Sequence, residues 1–276
     1  MATGAPSSRH PSVPIKYRRN VGNLSPDQLN LLRQAFAAVI GLDDDRGYQH
    51  WAGIHGLPLP PYCDYAHGRP HFLPWHRAYL YFFERALRDR VADSMLAWWD
   101  WRTPAQGPNP GIPPAFREQQ VTGKPNPLFS APVNELARQQ GLRSDPPLDY
   151  PDHTVRNPGA RRTPPLPTAS EIEQVLALPD FLDFSEQVEM YHGRVHIWVG
   201  GHMGQIAFAA YDPIFWAHHT MIDRLWRLWQ LQHRTAGVPR SILRDALPPF
   251  QITVAQTLDT TTLGYDYAVA TRSAAA

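Results

Sequence analysis

Residues 67–84, HGRPHFLPWHRAYLYFFE, combine three histidines with the beginning of an apolar, aromatic segment. The histidines are His67, His71 and His76, and from about Pro74 onward the apolar side chains recur at helical spacing. An imidazole that leaves water must find hydrogen-bond partners or lose its charge. The stretch therefore predicts a largely buried helix whose first turns carry histidines with a chemical role.

The composition indicates one domain without a polyanionic partner. A chain of 276 residues can bury a large core, and we treat residues 1–276 as a single domain. Lys plus Arg (26) nearly cancels Asp plus Glu (25), so the net charge of +1 attracts neither nucleic acid nor an anionic membrane. No stretch has the roughly 20 apolar residues that span a bilayer. We expect neither nucleic acid nor a membrane as a partner.

The start of the chain predicts a cytoplasmic location. Residues 1–28 contain no apolar core of a signal peptide, so secretion would need the help of a partner. Cys63 is the only cysteine, which excludes an internal disulfide.

Helical patterns recur along the chain. Ser25, Pro26 and Asp27 supply a side-chain cap, a ring that fits the first turn and an early negative charge. A second helix is expected to begin near the acidic run 43–45 and to end at Gly56. Similar patterns predict helices near residues 133–141, 168–181, 185–199 and 211–234, and a strand near residues 261–271.

Residues 102–169 differ from the rest of the chain because proline occurs throughout them. Proline excludes a central strand or a long helix, so we expect an irregular insert that lies over the core.

Two further histidine groups lie on predicted helices. His192 and His196 are four residues apart, which places both imidazoles on one helix face as a preformed chelate for a metal ion. His218 and His219 precede Asp223 by about one turn, and we expect one of the two to be a ligand and the other to be a packing residue.

A single histidine is more often a hydrogen-bonded core or surface residue than a ligand, but several histidines on apolar helices need a shared explanation. Imidazole ligands without carboxylates or thiolates favour copper or zinc, and two facing three-histidine centres suit a copper pair.

These groups resemble the copper-binding signatures of the tyrosinase family of type-3 dicopper proteins. Residues 67–84 resemble the copper-A signature, and DPIFWAHHTMID at 212–223 resembles the copper-B signature, about 140 residues later and in the family's order. Three more segments are similar to parts of the family: YQHWAGIHGLP at 48–58, WWDW at 98–101 and LGYDY at 263–267.

The resemblance implies a mainly α fold: a four-helix bundle that encloses a dicopper site, with long proline-rich loops and a few short peripheral strands. It implies two copper ions and O2 as co-substrate. The implied ligands are His55, His67 and His76 on copper A, and His192, His196 and His219 on copper B.

The remaining histidines near the signatures are alternatives. His50 competes with His55 for the first position, and His71 falls in the free spacer of the signature. His218 is at the wrong helical phase for a ligand, and His202 is expected behind the ligands or at the mouth of the cavity. Among the charged residues, we expect Asp223 to orient a ligand or to cap the bundle.

The resemblance implies oxidation of o-diphenols to o-quinones. In relatives that hydroxylate monophenols, an asparagine after the first copper-B histidine and a nearby glutamate are thought to hold a water that deprotonates the phenol. Gly193 and Glu189 occupy these positions here. Glycine has no side chain to hold the water, so we expect diphenol oxidation to be stronger than monophenol hydroxylation.

Two other functions remain open: an o-aminophenol oxidase that uses the same site, and an oxygen carrier that resembles hemocyanin. The family analogy also allows a copper-delivery (caddie) protein as a partner, beside a small phenolic substrate.

Two further features of the family apply in part. Fungal relatives link a cysteine two residues before the middle copper-A histidine to that ring, whereas Cys63 precedes His67 by four, which leaves a thioether or a free buried thiol. The chain ends soon after Tyr267, so we expect no C-terminal shielding domain. We also expect Arg18 or Arg19 to pack on Tyr265 or Tyr267 and to connect the two ends.

Overall fold

The computed structural model describes residues 14–60, 62–104, 106–107 and 111–268. The first thirteen residues, on which the signal-peptide prediction partly depends, and the end of the predicted strand beyond residue 268 lie outside the described residues. Within these ranges the chain is mainly helical, as predicted. The α-helices are α1 Pro26–Ile40, α2 Tyr48–His55, α3 Phe72–Arg90, α4 Pro114–Arg117, α5 Glu135–Leu142, α6 Ala169–Leu176, α7 Phe181–Val199 and α8 Ile214–His233.

Short strands lie at the edge of the helical body. β1 (Lys16–Arg18) and β4 (Tyr265–Tyr267) form a parallel pair, which confirms a strand within the predicted range 261–271. β2 (Gln120–Val121) and β3 (Lys124–Pro125) form a small antiparallel hairpin. The predicted contact between the two ends of the chain is also present, since the Arg18 guanidinium lies 3.7 Å from the ring centroid of Tyr265.

α1 begins where its capping residues predict. The Ser25 side chain accepts a hydrogen bond from the backbone N–H of Gln28, and the Gln28 side chain accepts one from the backbone N–H of Ser25. Pro26 stands at the first helical position, where its missing N–H costs nothing. The helix buries Leu32, Phe36 and Val39 and packs against α3.

The predicted start of α2 is wrong. The helix begins at Tyr48 rather than at the acidic run, because the Asp44 carboxylate accepts hydrogen bonds from the Arg46 guanidinium and backbone and closes a turn before the helix. Its end at Gly56 is confirmed. A side chain at Gly56 would have its Cβ only 2.4 Å from the carbonyl oxygen of Ala207, so only glycine fits there.

α3 begins two residues before the predicted Pro74, which lies within its first turn. The helix is buried along much of its length, and the Phe83 ring stacks on Trp216 of α8 with 3.6 Å between the ring centroids.

The proline-rich insert is largely irregular, as predicted, and contains α4, α5 and the hairpin of β2 and β3. Arg156 fastens it to the helical body. Its guanidinium pairs with the Asp212 carboxylate just before α8 and donates a 3.1 Å hydrogen bond to the Leu128 carbonyl. This ion pair is one of the contacts that attach the irregular segment to the start of α8, beside backbone hydrogen bonds such as that from Gly159 to Trp198 of α7.

Four helices form the bundle at the centre of the molecule. α3 packs along α8, α7 packs against both of them, and α2 lies across the end at which their histidines meet. None of the described helices has the length and hydropathy that crossing a bilayer requires.

Candidate metal centre

The six histidines that the resemblance implies as ligands form one cluster of rings. Five come from the four helices of the bundle and one from a loop: His55 ends α2, His67 precedes α3, His76 lies on α3, His192 and His196 lie on α7, and His219 lies on α8.

The predicted copper-B histidines lie closest together. The Nε2 atom of His219 is 3.3 Å from Nε2 of His192 and 3.2 Å from Nε2 of His196. Two ligands at about 2.0–2.1 Å from one ion in a tetrahedral arrangement are roughly 3.3 Å apart. The separations therefore fit imidazole nitrogens that share a single metal ion.

The predicted copper-A histidines have unsatisfied ring nitrogens. The Nε2 atoms of His55, His67 and His76 are buried and have no hydrogen-bond partner among the described residues. The other nitrogen of His76 lies 2.9 Å from the carbonyl oxygen of Phe72, which fixes Nε2 as the free lone pair. Buried polar atoms without partners are costly, and coordination of a metal ion would satisfy such lone pairs.

The structure groups these three histidines differently from the prediction. Their ring centroids are 5.3–5.8 Å apart, but their ligand atoms do not all lie within 4.8 Å of one another. The groups that do meet that distance are His55 with Cys63 and His67, and His55 with His76 and His219. The His76 ring stacks on His219 at a centroid distance of 4.5 Å, which places His76 between the two predicted sets.

Both His218 and His219 come close to the α7 pair, whereas the helical phase predicts this for only one of them; which of the two is a ligand stays a prediction. Ligand atoms of His192, His196, His218 and His219 all lie within 4.8 Å of one another. The His218 ring lies nearly parallel to that of His192, with centroids 5.2 Å apart, and neither of its nitrogens has a partner among the described residues. Adjacent residues are about 100° apart around a helix, and the α7 pair is wide enough for both to reach it.

The other alternative histidines lie outside these groups. His71 contacts the Asp245 carboxylate at 2.9 Å. His202 accepts a 3.0 Å hydrogen bond from the backbone N–H of Val155 and so supports the insert behind the ligands. His50 packs edge-on against Trp51. None of these three histidines belongs to a group of described residues that could hold a metal ion.

Burial keeps the clustered histidines neutral. It is the largest cause of the lowered pKa of His55, His76, His192 and His219, and the neighbouring imidazoles lower these values further. The pKa of His196 is lowered to about 4, mainly by burial. A neutral imidazole has the free lone pair that a metal ion needs.

Glu189 makes a contact that the sequence did not reveal. Its Oε1 atom accepts a 2.8 Å hydrogen bond from the backbone N–H of Gly68 and lies 3.4 Å from Nδ1 of His67. Burial raises the pKa of this carboxyl group. The three-residue spacing to His192 indicates only that both lie on one face of α7. The contact with the loop before α3 depends on tertiary packing.

Cys63 acts as a hydrogen-bond donor to the last residue of α2. It is a buried free thiol whose Sγ donates to the carbonyl oxygen of His55 at 2.7 Å, and burial raises its pKa to about 12. This geometry favours the free-thiol alternative over a thioether.

A cavity of about 300 Å³ connects the histidines to the surface. His55, His67, His192 and His196 line its inner part together with Glu189 and Gly193. A Cβ atom at Gly193 would meet nothing within 4 Å, so the space above this residue is open. The site can therefore admit a small flat molecule beside neutral imidazoles.

The sequence matches a described family and several known proteins. Residues 45–232 match the family model for the common central domain of tyrosinase. A tyrosinase of Streptomyces lincolnensis is 33% identical over 203 residues, which cover 66% of this chain and 70% of that protein. Hemocyanin units G and H of Sepia officinalis are 32% identical over 237 residues, or 80% of this chain. This chain covers only 39% of the length of the Sepia protein.

Solved structures share the fold. A functional unit of octopus hemocyanin matches with a TM-score of 0.71 and 28% identity, over 91% of this chain and 67% of that one. A copper-bound active tyrosinase variant of Aspergillus oryzae matches with a TM-score of 0.74 over 94% of each chain, and its identity of 20% is evidence of the fold alone.

Proposed function

Because this chain belongs to the tyrosinase family of dicopper proteins, we propose that it oxidises o-diphenols to o-quinones with O2. The observation that supports this best is the cluster of buried histidine nitrogens without partners at the inner end of a cavity that reaches solvent. We assign His55, His67 and His76 to copper A, and His192, His196 and His219 to copper B.

The bound copper pair would carry electrons from the diphenol to O2. Each diphenol that becomes a quinone gives up two electrons and two protons, so two diphenols reduce one O2 to two waters. The protein contributes neutral nitrogen ligands and a cavity that orients the ring. The open space at Gly193 lets the ring approach, and the ring of His196, which lines the cavity, offers it a surface for stacking.

Glu189 and Gly193 support the preference for diphenols. Glu189 supplies a carboxylate on the cavity wall, but its Oε1 atom is engaged with Gly68. Gly193 provides no side-chain amide to hold a water beside it. We therefore keep the expectation that monophenol hydroxylation is the weaker activity.

Two alternatives use the same site. An o-aminophenol oxidase would share every ligand. The similarity to hemocyanins supports an oxygen carrier, whereas exposed Gly204 and Ile206 on the cavity lining favour an enzyme, because they give substrate a way in. A copper-delivery partner and a cytoplasmic location remain predictions from the sequence.

The test compares catechol, tyrosine and 2-aminophenol on the copper-loaded protein, with O2 uptake and quinone absorbance as readouts. We expect catechol to be oxidised fastest and tyrosine slowest. A higher rate with 2-aminophenol than with catechol would favour the aminophenol oxidase. Reversible O2 binding without any quinone would identify a carrier and contradict the proposal.

The variant Gly193→Asn tests the role of the missing amide. Because a side chain at this position meets open space, we expect the variant to fold and to raise the ratio of tyrosine to catechol oxidation. An unchanged ratio would show that Gly193 does not limit monophenol hydroxylation.

A further inference from the structure

The outer part of the metal cavity is apolar. Ile197, the residue after His196 on α7, and Ile206 both line the cavity, and these residues are 51% and 59% exposed. Large aliphatic side chains that remain this exposed at the rim of a site can gain free energy when a ligand covers them. Met203 and Ala209 continue this apolar surface inward.

The charges around the cavity are unfavourable for an anion. Among the described residues that line it, Glu189 is the one carboxylate, and neither lysine nor arginine is present. A neighbouring cleft of about 350 Å³ shares Glu189, and there Arg69 is accompanied by Glu186 as well. The side chains of neither space therefore offer an unopposed cation to a carboxylate on the substituent of the ring.

The orientation of the ring places its substituent at this rim. The hydroxyls of a diphenol must approach the histidines at the inner end of the cavity, so a substituent on the opposite side of the ring points outward. It then faces the exposed part of the lining, to which Ile197 and Ile206 belong.

On the basis of the proposed function, we propose that this site selects diphenols with an uncharged, apolar ring substituent, and that Ile197 and Ile206 determine this preference. Each methylene group that leaves water for such a surface improves binding about fourfold. These contacts are the same in the bound substrate and in the transition state, so the preference appears in KM rather than in kcat.

The test uses two substrates of equal chain length, 4-propylcatechol and dihydrocaffeate, which differ by a terminal methyl group or carboxylate. Both have the same two methylenes next to the ring, so the electronic properties of the diphenol are matched. For the wild-type protein we expect kcat/KM to be at least about tenfold higher for 4-propylcatechol, through KM.

Charge variants at the rim should change this ratio. Ile197→Arg and Ile206→Arg each place a cation beside the substituent, and we expect about a fivefold gain in kcat/KM for dihydrocaffeate, as for a well-placed exposed ion pair. Met190→Arg is the matched control. Met190 is 52% exposed on the same helix but does not line the cavity, so the ratio should stay at the wild-type value.

The outcomes separate this inference from the proposed function. Equal kcat/KM for the two substrates, or a ratio that neither rim variant changes, would overturn the preference while diphenol oxidation stands. Failure of the copper-loaded wild-type protein to oxidise any diphenol would overturn both.

Discussion

Glu189 links the two halves of the metal centre. It lies on α7, one turn before His192, and contacts the loop that carries His67 on the other side of the cavity. A carboxylate that accepts the Nδ1 proton of a histidine fixes the tautomer whose Nε2 faces a metal ion. From the 3.4 Å distance between Glu189 Oε1 and His67 Nδ1 we therefore predict a positioning role for Glu189, beside the water-holding role that the resemblance implies.

We expect Glu189→Ala to weaken copper binding about 10–100-fold, the usual effect of removing such a partner. Glu189→Gln should lose less copper affinity, because its amide oxygen can still accept the hydrogen bond from the Gly68 N–H. Copper titration of the metal-free protein against a competing chelator measures both. Glu186→Gln, on the same helix in the neighbouring cleft, is the control and should bind copper as wild type does. Unchanged copper affinity in the alanine variant, with lost activity, would assign Glu189 to proton transfer instead.

His218 and His219 differ in what their rings present to the α7 pair. The Nε2 atom of His219 faces two other Nε2 atoms, whereas His218 lies flat against the ring of His192. We expect His219→Ala to lose about one copper per chain and His218→Ala to retain both, as measured by metal analysis after gel filtration. Circular dichroism of both variants checks the fold. Equal copper loss in the two variants would make His218 a ligand.

The sequence predicts the site as far as local geometry defines it. The spacing of His192 and His196 is enough to place them on one helix face, because the helix repeat alone determines that. The contact of Glu189 with Gly68 and the packing of His218 on His192 depend on how separate segments dock. No spacing along the chain encodes those contacts.

At the scale of elements, a buried charge cluster holds α3 and α8 together. Asp223 of α8 pairs with Arg77 of α3 and with Arg18 of β1, and the Tyr265 hydroxyl donates to it at 2.7 Å. Burial alone would raise the pKa of Asp223, but Arg77 and Arg18 lower it overall. The two arginines therefore stabilise the charged form in the interior.

We expect Asp223→Asn to lower the free energy of unfolding by about 3–5 kcal/mol, because it leaves two buried cations without their shared partner. The contribution of a carboxylate with a lowered pKa is present above its ordinary pKa and is lost as the pH falls through the folded value. Urea unfolding near neutral pH measures the change. Asp266→Asn removes a more exposed pair with Arg227 and should cost at most about 1 kcal/mol. Equal losses in the two variants would contradict this role of the cluster.

Element boundaries were less predictable than element types. The α1 capping residues place its start correctly, because Ser25 and Gln28 satisfy local donors. The acidic run before α2 fits a helix start equally well by charge, but Asp44 is engaged by Arg46. Local signals of similar strength compete at such sites, and tertiary packing decides between them.

At the scale of the whole molecule, the cluster of neutral histidines makes folding sensitive to acid. Their pKa values are lowered in the folded protein, so below the ordinary value of about 6.5 the unfolded chain binds protons that the folded chain does not. Stability is therefore complete above that pH and falls as the pH decreases toward the folded values.

For the copper-free protein we expect each such histidine to lower stability by up to about 1.4 kcal/mol per pH unit below about pH 6.5. Bound copper should raise stability near neutral pH and make its fall in acid steeper, since protons compete with the metal for the same nitrogens. Urea midpoints between about pH 7 and about pH 5, with and without copper, test this. A flat profile for the copper-free protein would show that the histidines are protonated in the folded state.

The parallel ladder of β1 and β4 joins Arg18 to Tyr267, which lie 249 positions apart in the sequence. The backbone N–H of Lys16 donates to Gly264, and that of Ala268 donates to Arg18, so each strand shields amides or carbonyls of the other. The two strands therefore hold distant parts of the chain together. If either strand dissociates, the hydrogen-bonding groups of the other become exposed to solvent. Amide deuterium uptake should therefore report both strands opening together, and a circular permutant that links them and is cut within the proline-rich insert should still fold.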